Sequence, residues 1–209
     1  MSDTPRICGV ILAAGASSRM GRDKALLPWP PTATGDSTLL SAAILALKPF
    51  TEAVIVVAGR NAEQLAPVAN RRGASIAINP DPDRGQFSSI QIGLRAVLDC
   101  GCDAAMLTPV DCPPLSAATL ELLRESFVSA VARGIRAVAP ENKVRRGHPL
   151  LMSRQLIEAF LSAPATSNAR EVKLTCEEFF EYVAVADPLL SADVNTPEQY
   201  AALAGKHAS

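Results

Sequence analysis

Short apolar runs alternate with amphipathic stretches along the whole chain, and the two periods predict strands and helices in turn. Continuous apolar runs predict strands at residues 7–12, 53–57, 75–78, 104–108, 137–139 and 182–185. Helical spacing of the apolar positions predicts helices at 39–47, 62–69, 89–98, 117–133, 154–161 and 197–203. The last of these has a defined start in Thr196-Pro197-Glu198: Thr caps, Pro suits the first helical position and Glu complements the helix dipole. Strands that alternate with helices call for a mostly parallel sheet covered on both faces, so the expected fold is a single-domain, doubly wound α/β protein spanning residues 1–209. The one loop-like patch is PWPPTATGDS at 28–37, and no repeat or linker divides the chain.

Bulk composition narrows the function by exclusion. The chain has 209 residues and a formal net charge of −1, from 20 Lys+Arg against 21 Asp+Glu. No global field draws it to nucleic acid or to a membrane surface, so any anion must be held by a local site. No apolar stretch reaches the ~20 residues of a membrane span, and the start MSDTPRIC is not a signal peptide, so a cytoplasmic location is expected. The five cysteines (Cys8, Cys100, Cys102, Cys112, Cys176) show no paired CxxC spacing and read as buried thiols.

In an open α/β sheet the ligand lies beyond the carboxyl ends of the strands. That rule selects Ala13 to Arg19 after the first strand, Pro109-Val110-Asp111-Cys112-Pro113 after the fourth, and Ala186-Asp187 with Ala192 to Thr196 after the last. The first loop is nearly free of bulky side chains and is followed by Arg19 and Lys24, a combination that suits phosphate oxygens held by backbone N–H groups and cationic donors. It is neither a Walker A loop, whose glycine and lysine spacing it misses, nor a GxGxxG dinucleotide loop. An NAD-dependent oxidoreductase also lacks its acidic residue after the second strand, where Val57-Ala58-Gly59-Arg60-Asn61 stands. With only His148 and His207 in the chain and no G-x-S-x-G elbow, a Ser-His-Asp hydrolase is excluded. A non-catalytic nucleotide-sensing module is the alternative of another class.

The stretch Leu12-Ala-Ala-Gly-Ala-Ser-Ser-Arg-Met-Gly-Arg-Asp-Lys24 resembles the signature of the MobA-like nucleotidyltransferases, a branch of the nucleoside-diphosphate-sugar pyrophosphorylase superfamily. The resemblance continues at Asn79, Gly85, Ser89 to Leu94, Thr108 to Pro113, Gly147-His148-Pro149 and Asp193 to Glu198. Within the family the chain is most similar to the molybdenum cofactor cytidylyltransferases. The resemblance implies the Rossmann-like fold of the nucleotide-diphospho-sugar transferases and Mg²⁺-dependent transfer of CMP from CTP to molybdopterin cofactor, with pyrophosphate released. GTP, with guanylyl transfer, or another phosphomonoester acceptor is the alternative within the family. A molybdoenzyme or its chaperone is the partner implied downstream.

By the same resemblance, Leu12, Ala13, Ala14, Gly15, Arg19, Lys24, Gly85 and Ser89 bind the nucleotide, and Arg19, Lys24 and Asp111 are catalytic. Asp111 and Asp193 hold the metal, with Asn195 open as the second ligand. Arg146 and His148, in the basic stretch 143–149, face the acceptor. Ser88 or Ser89 also reads as an ordinary N-cap of the third helix. The pattern departs from the family at 28–37, where extra prolines and Trp29 occur, and at Asn195, where the family pattern has Asp. Cytidylyl-transferring relatives resemble the Ala13-Ala14 pair, whereas guanylyl-transferring ones carry Gly at the position of Ala14.

Overall fold

The computed structural model describes residues 4–15 and 21–204 of the chain. Seven strands are found among them: β1 (Ile7–Leu12), β2 (Ala53–Ala58), β3 (Ser75–Ile78), β4 (Ala104–Pro109), β5 (Ala137–Glu141), β6 (Leu150–Ser153) and β7 (Phe180–Ala184). They form one sheet in the order β3-β2-β1-β4-β6-β5-β7. All pairings are parallel except those of β6, which runs antiparallel to both β4 and β5. The helices are α1 (Leu39–Leu47), α2 (Ala62–Arg71), α3 (Gln86–Asp99), α4 (Ala117–Val131), α5 (Arg154–Ser162), α6 (Ala169–Leu174) and α7 (Pro197–Ala204).

Strand alternation divides the core. Ile7 and Ile11 of β1 join Val54 and Val56 of β2 on one face, against Ile44 of α1, Leu65 of α2 and Phe127 of α4. Cys8, Val10 and Leu12 point to the other face, with Ile90 and Leu94 of α3 and Phe160 of α5. Helices thus cover both faces, as the alternating pattern requires.

Two elements were absent from the sequence-based expectation. β6 is a four-residue apolar strand that passes into α5 without a loop, so its apolar run merges with the helical one. The six-residue α6 is set by a capping box in which Asn168 and Glu171 each accept from the other's backbone N–H. Several boundaries also moved: α2 runs to Arg71 instead of 69, β5 to Glu141 instead of 139, and β7 begins at Phe180 instead of 182. α4 stops at Val131 instead of 133, and α3 begins at Gln86 instead of 89. The N-cap of α3 is Gly85, so neither Ser88 nor Ser89 caps it. Gly85 has φ 91° and ψ 176°, a conformation that is essentially restricted to glycine.

Trp29, in the proline-rich loop, is buried with Leu27, Leu39, Val194 and Leu203 in a third, smaller cluster. Tyr200 Oη of α7 donates to Pro28 O at 2.7 Å, so this loop ties down the C-terminal helix. Asp187, one of the residues selected after the last strand, is buried and accepts from the N–H groups of Ser116 and Leu189 and from Thr119 Oγ1. Burial alone would raise its pKa, but those donors together hold the carboxyl below its ordinary value. Its role is to fasten the start of α4.

The close approach of α3 to the sheet depends on Gly93. A Cβ there would stand 2.6 Å from Val10 Cγ1 and 2.9 Å from Val57 Cγ2. Gly93→Ala is expected to destabilise the protein by about 1–3 kcal/mol through overpacking, lowering Tm by roughly 2–4 °C per kcal/mol in a thermal melt. An unchanged Tm would show that α3 moves off the sheet without cost.

Candidate functional site

β1 and β4 are adjacent and parallel, yet the chain leaves them in opposite directions along the sheet: β1 leads through α1 to β2, and β4 leads through α4 to β5. A crevice must open at their carboxyl ends, where such a switch point places ligands. It holds a cleft of about 310 Å³ lined by Leu12, Ala13, Ala14 and Gly15 from β1, by Asp23 and Lys24, by Pro82, Gly85, Gln86 and Ser89 around the start of α3, and by Pro109, Val110 and Asp111 from β4. The structure therefore brings together seven of the eight residues expected to hold a nucleotide, together with Asp111. Arg19 lies outside the described residues.

The floor is held close by backbone pairing. Ala13 N donates to Val57 O at 2.8 Å and Val110 N to Leu12 O at 3.0 Å, so the loops diverge only after these residues. Among the described residues, a Cβ on Gly15 would meet no atom within 4 Å. Opposite, the N-terminal end of the 14-residue α3 has no side-chain cap and lines the cleft through Gly85, Gln86 and Ser89. The amides and dipole of a helix start form a positive wall suited to an anion. Asn79 sets that wall. Its buried amide donates to Ser88 Oγ and Ser89 Oγ, each at 2.9 Å, while Asp81 N donates to its Oδ1.

Lys24 opens a short 3₁₀ turn (Lys24–Leu26) whose N-cap is Asp23, which accepts from Ala25 N at 2.9 Å. Its Nζ donates to Asn195 Oδ1 at 2.8 Å and to Asp111 Oδ2 at 3.3 Å. With only 12% of the Lys24 side chain exposed, this is a partly desolvated ion pair. Val194 N donates to Asp111 O at 2.8 Å and the Val194 side chain packs in the Trp29 cluster, which brings Asn195 to the site. Asp193 faces another partner: its Oδ2 accepts from Arg145 Nη1 at 2.5 Å, and its Oδ1 is 3.7 Å from Cys112 Sγ. Burial, with Asp111 and Asp193 nearby, pushes the Cys112 thiol up to about 12 and keeps it neutral.

Several residues that sequence reasoning passed over organise the cleft. Asn61 Nδ2 donates to Ala13 O at 2.9 Å and to Asp23 Oδ2 at 2.5 Å, and its Oδ1 accepts from Gly59 N. It thereby ties the end of β2 to the phosphate-suited loop and to the cap of Lys24. Its position, directly beyond a predicted strand, was the available signal. An adjoining hollow of about 540 Å³ shares Ala14, Gly15, Asp23 and Pro82 and adds Arg22, Arg60 and Gln64.

Arg146 and His148 lie away from this cleft. Arg146 pairs with Glu141 at 3.5 Å and stacks over the Tyr182 ring at 3.7 Å. His148 lines a small apolar recess with Thr108, Cys112 and Pro113. Burial, then the charge of Lys173, lowers its pKa from 6.5 to about 4.

Fold and cleft together define a nucleotidyltransferase. The chain belongs to the MobA-like NTP transferase domain family, which matches residues 9–177. It is 29% identical over 91% of its length to the molybdenum cofactor cytidylyltransferase of Escherichia coli K12, covering 92% of that protein. It is also 30% identical over 95% of its length to the nicotine blue oxidoreductase of Paenarthrobacter nicotinovorans, covering 96% of it. A probable molybdenum cofactor guanylyltransferase of Mycobacterium avium is 36% identical over 56% of this chain and 55% of its own. Among solved structures, Rv0371c of Mycobacterium tuberculosis superposes with a TM-score of 0.78 at 22% identity, covering 96% of this chain and 98% of that one. That protein has also been solved in complex with manganese.

The neutral His148 gives a pH test. Because its folded pKa is depressed, the unfolded chain binds the extra proton between pH 6.5 and about 4, and stability falls as pH drops through that window. His148→Gln is expected to remove on the order of 2–3 kcal/mol of this pH dependence, measured by urea unfolding at pH 7 and pH 4.5. An identical slope in the variant would reject His148 as its source.

Proposed function

We propose that the protein transfers CMP from CTP to molybdopterin cofactor with release of pyrophosphate, using a divalent cation. The observation that carries this reading is the convergence of Lys24, Asp111, the small-residue loop and the start of α3 on one cleft. Transfer of a nucleotidyl group needs two anions brought together, the α-phosphorus aligned for in-line attack, and charge neutralised in the transition state. An oxygen of the acceptor's phosphate forms the new P–O bond as the bond from the α-phosphorus to pyrophosphate breaks. The loop Ala13 to Gly15 and the amides at the start of α3 hold the phosphates, and Lys24 donates to charge that grows on them. Asn61 and Asp23 keep Lys24 in place.

The donors present fit a hard divalent ion. Asp111 offers a carboxylate oxygen and Asn195 an amide oxygen, and both already converge on the cationic Nζ of Lys24. Mg²⁺ is commonly held by one or two protein oxygens, with phosphate and water completing its shell. Such an ion supplies charge neutralisation at the phosphates. Geometry favours Asn195 over Asp193, which Arg145 engages. Both residues lie beyond the segment matched by the family, so this assignment rests on their placement.

CTP is favoured by the similarity to a cytidylyltransferase over 91% of the chain, whereas the guanylyltransferase similarities cover 56–66% of it. Ala14 is buried in the cleft floor. Its methyl group narrows that floor and favours a pyrimidine. The expected result is a higher kcat/KM for CTP than for GTP, with Ala14→Gly relaxing the ratio by roughly 10- to 200-fold at most, as one methylene-sized contact allows. A wild-type preference for GTP would reject cytidylyl transfer.

Lys24→Ala should lower turnover at least about a hundredfold with the fold intact, since a donor to transition-state charge contributes roughly 2.7–4 kcal/mol. The assay is pyrophosphate release across four NTPs and Mg²⁺ or Mn²⁺, with and without molybdopterin cofactor. A parallel arm measures oxidation of NADH and NADPH, prompted by the oxidoreductase relative. Nicotinamide oxidation without pyrophosphate release would overturn the reading, as would near-normal turnover of the Lys24 variant.

A further inference from the structure

The end of the sheet opposite the cleft carries a group that nucleotidyl transfer does not use. Cys8 lies near the start of β1, Cys100 is the C-cap of α3, and Cys102 precedes β4. Their Sγ atoms all lie within 4.8 Å of one another, and the Cys100 and Cys102 sulfurs are 3.7 Å apart. Among the described residues this is the one group of three or more His, Cys, Asp or Glu side chains that converges so closely. Its donors are all sulfur.

The backbone enforces the approach. α3 ends in a left-handed turn at Gly101, φ 77°, where Gly101 N donates to Leu98 O at 3.0 Å and Cys102 N to Val97 O at 3.2 Å. That turn folds Cys102 back towards Cys100. Arg6, two residues before Cys8, donates from Nη1 to Gly101 O at 3.2 Å, and its own carbonyl accepts from Asp103 N and Ala104 N. The turn is therefore pinned against β1. Three thiolates about 2.3 Å from a common ion lie about 4.0 Å apart when coplanar with it, so a shift of under about 1 Å in any pair separation closes the site.

We infer that Cys8, Cys100 and Cys102 form a three-thiolate site for a soft, thiophilic monovalent cation of the Cu(I) class. Sulfur donors select soft ions over Mg²⁺ and Ca²⁺. A closed structural Zn²⁺ site takes four protein ligands, and three converge here. Cys8 and Cys102 are buried whereas Cys100 is exposed, so the ion has an entry path and a dry seat that disfavours added water ligands. On binding, three S–H bonds break, three Cu–S bonds form and three protons leave, with no change in oxidation state. The resulting net negative charge lies beside Arg6 and beside Arg154, whose Nη2 donates to Cys102 O at 3.4 Å. Four residue steps along β1 take the chain from Cys8 to Leu12, about 13 Å of strand, so the ion stands apart from the cleft in which the phosphates are proposed to react.

The test titrates the reduced, full-length chain anaerobically with the Cu(I)–bicinchoninate complex. Expected are the withdrawal of one Cu(I) per chain and an X-ray absorption spectrum with three sulfur neighbours. Cys100→Ser, at an exposed position, should weaken uptake at least about tenfold without changing the melting temperature of the metal-free protein. Cys176→Ala, a buried thiol outside the group, should leave uptake unchanged. Absence of uptake, equal uptake by Cys100→Ser, preferential binding of Zn²⁺, or formation of a Cys100–Cys102 disulfide in place of the copper complex would each overturn the inference.

Discussion

The adjacency of β1 and β4 is the constraint on which the rest depends. Their parallel ladder runs through Ile7 to Leu12 and Ala104 to Pro109, and the chain winds away from it in both directions. Parallel strands cannot be joined by tight turns, so each carboxyl end must release a loop, and two loops released side by side in opposite senses leave a gap. Everything with chemical capacity in the cleft is a consequence. Ala14 and Gly15 are small where the chain leaves β1, Asp111 follows β4, and α3 aims its N-terminus into the gap because it must cross from β3 back to β4.

The second level of organisation is the clamp on Lys24. An ammonium shared by Asp111 and Asn195 joins three segments far apart in sequence. It holds only because Trp29 and Val194 share an apolar cluster that is continuous with α7. The proline-rich loop, which reads as a departure from the family pattern, thus acts at a distance. It fixes the segment 193–195 against Asp111, and its backbone at Pro28 holds Tyr200. Hydrophobic burial at the edge of the domain is what positions a polar pair in its cleft.

The sequence showed much of this and missed the parts that depend on tertiary partners. Long apolar runs such as Ile7–Leu12 identify themselves, because a strand buried on both faces has no other reading at that length. β6 was hidden because it is short and continuous with α5, and its antiparallel place between β4 and β5 is decided by pairing, which no local pattern encodes. The start of α3 was misplaced because Ser88 and Ser89 look like caps, while their hydroxyls instead accept from the buried Asn79 amide. The cleft was legible in Ala13 to Gly15, Lys24 and Asp111, whose residue types match phosphate chemistry. Asn61 was legible only by its position beyond β2, since an amide that bonds two backbone groups and the Asp23 carboxylate carries no signature of its own.

Charge balance supports the divalent cation of the proposed reading. The chain as a whole is nearly neutral, so a nucleoside triphosphate gains little from the protein's overall field. Within the cleft, Asp111 lies 3.3 Å from Lys24 and offsets much of the one lysine charge there. The α3 terminus contributes only about half an elementary charge. Against a polyphosphate of several negative charges these sources among the described residues supply little, and the carboxylate of Asp111 would repel it. Under the proposed reading, a divalent ion held by Asp111 would reverse that sign: the carboxylate would anchor positive charge, and Lys24 would be freed to donate to the phosphate oxygens.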